Sequence, residues 1–188
     1  MGLAEKDTVD WARLIMEKVH AKVEDRIVVK PAREAAMEAR KKGKGNQGMY
    51  CGAAIELTDG TLITGKNSPL MHSASSLILN ATKHLAGLPD GMHLLPANMI
   101  EQVSFLKKDV LTGKVTSLDV EETLIMMGIS AISNPAAQLA LEKLAELRHC
   151  EVHLTHIPTP GDEAGLRKLQ VNLTCDPEFP SKSLFMGD

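Results

Sequence analysis

The chain has 188 residues, of which 44% are hydrophobic and only 3% aromatic, and a net charge of −3. That is enough apolar material for one core, while the scarcity of aromatic rings and of positive charge argues against nucleic-acid recognition by stacking or by a basic face. Three cysteines without CxxC spacing, no charged-then-apolar leader and no apolar run near the roughly 18 residues that span a bilayer predict a cytoplasmic protein with no membrane partner, no disulfide framework and no cofactor.

In chain order, apolar residues from Val9 to Val23 recur at helical spacing and predict an amphipathic helix over 5–23. EDRIVVKP (24–31) reads as a short strand, and Pro31 then opens a helix of good helix formers. That helix runs out in KKGKGNQG, where Lys42 and Lys44 alternate with glycines. Such a loop can clamp an anion through ammonium and backbone N–H groups, or it can be a solvated helix end whose lysines answer the helix dipole. It has no P-loop pattern.

The run MYCGAAIEL (49–57) predicts a strand buried on both faces, and Asp59-Gly60 predicts a two-residue type I′ turn into the return strand TLIT (61–64). A loop carrying Lys66, Asn67, Ser68 and His72 follows, and then a helix through Leu85 capped by Ser73, Ser75 or Ser76 and stopped at Gly87. Downstream come a short strand at 92–95, a helix from 98 to 110, and a helix capped by Asp119 that is apolar nearly all round, the signature of a central helix or an oligomer contact. Pro135 begins a further helix, CEVHLTHI (150–157) is a strand, PTPGDEAG starts a helix with Asp162 as its expected cap, and QVNLT (170–174) is the last strand. The order predicts one α/β domain over residues 1–176, a sheet with helices on both faces, followed by a loose tail at 177–188.

Three runs carry a resemblance: GNQGMYCGAAIELTDGTLITGKNSPLMH, SLDVEETL and CEVHLTHIPTPGDEAGLRKL. Through them the chain resembles the C-terminal part of the bacterial family called domain of unknown function 1846. The resemblance implies a C-terminal domain of a longer protein, with residues 1–30 as the stretch that would join a preceding domain.

The helix, strand, DG turn, strand and helix of the opening half also look like the start of the cytidine-deaminase-like fold, a three-layer α/β/α architecture with a mixed sheet. In those enzymes a His or Cys zinc ligand begins the helix after the hairpin, a catalytic Glu follows two residues later, and a later PCxxC supplies two thiolates. Here His72 stands at the first position, but the Glu position is Ala74. With Pro135 matched to the later proline, the thiolate positions are Ala136 and Leu139. A lone imidazole does not hold zinc, so the resemblance implies the scaffold without the metal.

The residues left to carry function are His72, Lys66 and His156 as catalytic candidates. Lys42, Lys44, Asn67, Ser68, Thr155, Thr159, Gly161 and Asp162 join them as ligand-binding candidates. His153 and His156, three apart on a strand, point to opposite faces and cannot share a metal. The expected function is a binding or regulatory domain for a small anionic or nucleotide-like molecule. Two alternatives stand beside it: an enzyme using Lys66, His72 and His156, and a structural module that forms homo-oligomers or packs on a preceding domain.

Overall fold

A computed structural model describes residues 4–113 and 115–180. Four strands form one sheet in the order β2-β1-β3-β4: β1 (Gly52–Glu56), β2 (Leu62–Lys66), β3 (Glu151–Leu154) and β4 (Asn172–Cys175). β1 is antiparallel to β2 and to β3, and β3 is parallel to β4, so the sheet is mixed. The helices among the described residues are α1 (Lys6–Lys18), α2 (Val29–Lys41), α3 (Ser73–Leu85), α4 (Ala97–Phe105), α5 (Val120–Ser130), α6 (Pro135–Glu142) and α7 (Pro160–Lys168).

Strand alternation assigns the faces. Ala54 points to one side, where it packs with Val28 and Ala32 beneath α2. Ala53 and Ile55 point to the other, with Leu77 and Ile78 of α3, Val120 of α5 and Leu166 of α7. Two glycines let the helices approach this closely. A Cβ on Gly52 would lie 2.1 Å from the Ala32 carbonyl of α2, and one on Gly65 would lie 2.4 Å from the Leu77 nitrogen and the Ser73 oxygen of α3.

Several local expectations change. The stretch read as a strand at 24–31 is a 3-10 turn (Val23–Asp25) running into α2, which begins two residues before Pro31. Proline lacks only an N–H that the first helical turn leaves unused, and the early start buries Val28 and Val29 completely. Residues 92–95 form no strand. The Leu94 carbonyl is met by the hydroxyl of Ser130 (2.7 Å) instead, while Leu94 and Leu95 plug a second apolar cluster. The β1–β2 link is a three-residue turn, not a two-residue one: Leu57 N–H donates to Thr61 O, and Gly60 (φ +81°) takes the left-handed position. None of the three serines caps α3. Its N-cap is His72, without a side-chain capping bond.

Asp119 caps α5 as expected, with Glu122 completing a capping box, and Asn134 caps α6 ahead of Pro135. The apolar helix α5 buries Val120, Met126 and Met127 and leaves Ile125 and Ile129 exposed. No residue of α1 is buried, and its Trp11, Leu14 and Ile15 face outward. Arg26 reaches from the segment after α1 to Glu151 of β3 and to the Asn172 carbonyl of β4. Part of the expected loose tail lies on the body, where Ile157 N–H donates to Glu178 O (2.8 Å); the remainder, 181–188, lies outside the described residues. No helix of the described chain is long and apolar enough to cross a membrane.

The close approach at Gly65 yields a test. Gly65→Ala should lower unfolding stability by about 1–3 kcal/mol through overpacking, measured by urea denaturation. An unchanged midpoint would contradict this packing of α3 on β2.

Candidate functional site

The N-termini of α3, α5 and α7 converge beside the hairpin. His72 precedes α3, Asp119 caps α5, and Thr159 caps α7 by accepting the Asp162 N–H at 3.3 Å. Asp162 was the expected cap of α7, but its carboxylate serves other partners. Oδ1 accepts the N–H of Val120, the first residue of α5 (3.1 Å), while Oδ2 accepts the Thr159 hydroxyl (2.7 Å) and the His72 Nδ1–H (2.7 Å). The Asp162 side chain has no solvent exposure. Glycines permit the convergence, because a Cβ on Gly161 would lie 2.1 Å from the Asp119 carboxylate and one on Gly165 would meet Val120 at 2.5 Å.

His72 then opens onto a cavity of about 140 Å³, bounded by Met49, Cys51, Asn67, Ser68, Met71, Ser73, Val115, Thr116, Ser117, His156, Thr159, Pro180 and the loop residues Asn46 and Gln47. Among the described residues no Lys, Arg, Asp or Glu lines it. Met71 and Leu118 form a short parallel bridge that holds segment 115–118 against the hairpin side, with His72 N–H donating to Leu118 O at 2.9 Å. Among the described residues two polar atoms of the lining are buried and without partners, Ser73 Oγ and His156 Nδ1. A buried orphan of this kind costs about 1–3 kcal/mol.

The two imidazoles are driven in opposite directions. Burial disfavours charge on His72, but the hydrogen bond and charge of Asp162 outweigh it, and its pKa rises above the ordinary 6.5. Burial dominates at His156, which is pushed down to about 4 and stays neutral. Asp162 lies below the ordinary carboxylate value: burial opposes this, but the contact with His72 prevails. The Cys51 thiol, pushed up to about 11 by burial and then by the Asp162 charge, is protonated and carries no nucleophilic thiolate at neutral pH.

The structure places the remaining sequence candidates as follows. Lys66 is not on the loop. It is the last residue of β2, opposite Gly52, and its ammonium turns to the α2 face to pair with Glu38, which also holds Lys42. Between them, Lys42 and then Lys66 hold the Glu38 carboxyl down to about 2. Neither lysine lines the His72 cavity, nor does Lys44. Asn67 and Ser68 border it while also serving the backbone: Asn67 Oδ1 accepts Cys51 N–H (2.8 Å), and Ser68 Oγ accepts the N–H groups of Leu70 and Met71 (3.2 Å each). Thr155 Oγ1 accepts Gly52 N–H (2.9 Å) and extends the β1–β3 pairing. His153 lies on the α2 face, bonded to Thr174 Oγ1 (2.9 Å), away from His156. Thr116 and Ser117 escaped the sequence reading, having no local signal beyond a loop before the Asp119 cap, and Pro180 was expected only as part of the loose tail. Among the described residues no three His, Cys, Asp or Glu side chains gather as a metal-ligand set.

Comparison with known proteins gives the family. Residues 24–185 match the family described as "Domain of unknown function DUF1846, C-terminal". The chain belongs to this family. It is similar to the UPF0371 proteins of Clostridium tetani (42% identity over 187 residues), Clostridium botulinum strain Alaska E43 (44% over 188) and Clostridioides difficile (41% over 184). These matches take in 98–100% of this chain and 36–37% of each relative, so the chain spans little more than a third of the length of these DUF1846-family proteins.

The opposed histidines set a pH dependence. His72, raised when folded, contributes stability that is full below pH 6.5 and is lost as pH climbs through its folded value. His156, lowered when folded, contributes stability that is full above 6.5 and is lost as pH falls toward about 4. Urea midpoints against pH should therefore peak near 6.5. His72→Gln should flatten the alkaline limb and His156→Gln should make the acid limb shallower, His153, also lowered by burial, keeping part of it; a wild-type profile that rises monotonically through this range would contradict the assignment.

Proposed function

We propose that this domain binds a small monoanionic molecule in the cavity beside His72, with the Asp162–His72 pair supplying the charge that holds it. The supporting observation is the 2.7 Å contact from a wholly buried carboxylate to His72 Nδ1, which leaves Nε2, without a partner among the described residues, as the other ring nitrogen of a residue bordering the cavity. Size and charge narrow the ligand. A volume of about 140 Å³ is close to that of a cavity that takes benzene. One imidazolium, with no Lys or Arg among the described lining residues, balances one negative charge. A carboxylate of about six to ten heavy atoms fits both conditions better than a nucleotide does, because a polyphosphate in this cavity would be left with uncompensated charge. Thr116 and Ser117 border the same space and offer polar side chains for the neutral part of the ligand.

A second reading, catalysis, is favoured by the same pair. A carboxylate that fixes one imidazole nitrogen and leaves the other toward a cavity is the arrangement of an oriented general acid or base. His72 would then be the proton donor and His156 a neutral hydrogen-bonding partner. Lys66 has no part in this reading, since its ammonium lies on the other face of the sheet.

We read the scaffold as deaminase-like, supported by the order α2-β1-β2-α3 with His72 at the head of α3. The helix start that faces His72 is Pro160 of α7, not Pro135 of α6, so the two thiolate positions are Gly161 and Ala164. Asp162 occupies the space between them with its carboxylate on His72, which supports a site without zinc. The exposed apolar side of α1 we read as a surface that packs on the rest of a longer family protein.

Calorimetric titration with a panel of small mono- and dicarboxylates, nucleotides and phosphosugars tests the proposal. A monocarboxylate should bind with affinity that weakens as pH rises through the His72 titration, and His72→Ala should weaken it about tenfold or more, or roughly 1.4 kcal/mol. Absence of binding across the panel, or equal affinity in His72→Ala, would overturn it.

A further inference from the structure

A larger cavity of about 440 Å³ lies along the free edge of β2, on the far side of the segment that carries His72. Its wall on α3 is polar in an ordered way. Ser76, Asn80 and Lys83 stand at i, i+4 and i+7, one face of a helix. Apolar residues, among them Leu79, Met92 and Leu95, make most of the rest, with Thr64, Lys66 and His93 beside them. No Asp or Glu lines this cavity among the described residues.

Lys83 makes the cavity unusual. It is only 9% exposed, and the partner of its ammonium is a single neutral group, the Asp90 carbonyl at 2.6 Å. Among the described residues no carboxylate pairs with it. An ammonium has three N–H donors, and removing it from water without a counter-charge is costly. Position in the last turn of α3 gives a favourable interaction with the helix dipole, but that is worth under about 1 kcal/mol at most exposed sites and does not satisfy the other two donors. Asn80 is already anchored, its Nδ2 donating to the Thr64 carbonyl at 3.0 Å, which holds the polar face of α3 against the strand edge.

We propose that this groove is a second binding site, separate from the His72 cavity, for a phosphorylated small molecule whose phosphoryl group is received by Lys83. The two donors that the Asp90 carbonyl leaves free can be taken by oxygens of a phosphoryl group, whose charge answers the ammonium. Ser76 and Asn80 extend the polar side along the groove, while the Lys66 ammonium is taken up by Glu38 of α2 and leaves Lys83 as the cation of the site. The apolar wall suits a carbon skeleton, and a cavity of this volume falls in the range of small-molecule sites.

The probe is inorganic phosphate, followed by backbone amide NMR at constant ionic strength. Saturable shifts should be confined to amides of Thr64, Ser76–Lys83 and 92–95. Lys83→Met should weaken binding about tenfold or more, whereas Lys83→Arg, which keeps the charge, should hold it within a few-fold. Asn80→Asp, which sets a carboxylate into the groove, should also abolish the shifts and covers the case in which Lys83→Met fails to fold. His72→Ala should leave the shifts unchanged. Absence of saturation, shifts that map to the His72 cavity instead, or Lys83→Met and Asn80→Asp binding like the wild type would each overturn the proposal. A failed carboxylate titration at His72 leaves this result untouched, so the two readings stand or fall separately.

Discussion

The organisation of this domain depends on one buried carboxylate. Asp162 has no exposure to solvent and is kept ionised by a ring of donors: a helix-start N–H, a hydroxyl and an imidazole. Each donor comes from a different helix start. Val120 begins α5, Thr159 precedes α7, and His72 precedes α3, so the positive ends of three helix dipoles meet around one negative charge. Removing a partner from such a buried pair typically costs about 3–5 kcal/mol, because what remains is an uncompensated charge. The contact therefore fixes the mutual position of the three helices that cover one face of the sheet, and it fixes the imidazole that borders the cavity between them.

That arrangement separates two histidines that look alike in sequence. His72 gains an anionic partner that raises its pKa, while His156, a few residues from the same carboxylate along the chain, has no hydrogen bond at Nδ1 among the described residues and stays neutral. One cavity thus presents a cation on one side and a neutral imidazole on the other. The smallness of the cavity and the lack of other charges in its described lining are what the proposed preference for a single negative charge rests on.

What the sequence made legible was local. The hairpin with Gly60, the Asp119 capping box, the Asn134-Pro135 helix start and the mixed α/β alternation all depend on residues within a few positions of each other, and each stands in the structure. The family was legible too, because long runs such as GNQGMYCGAAIELTDG are specific. The site was legible only as separate pieces. His72 read as a helix-start histidine and Asp162 as a helix cap; their contact joins residues 90 positions apart and has no local signal. Lys66 reads as part of the His72 loop because the sequence ends the strand at Thr64, whereas β2 runs to Lys66. Two more residues of strand put its side chain opposite Gly52, on the α2 face, where period-two alternation sends it. The segment at 92–95 misled for a different reason, since a short apolar run is the same signal whether it forms a strand or plugs a cluster.

The most direct test of this account is a pH titration of the two imidazoles by long-range proton–nitrogen NMR with histidine-selective labelling. The account predicts that His72 holds its charge above pH 6.5, with Nδ1 in a hydrogen bond to Asp162, and that His156 remains neutral down to about pH 4. Two histidines titrating together near 6.5 would contradict the buried Asp162–His72 pair on which the site is built.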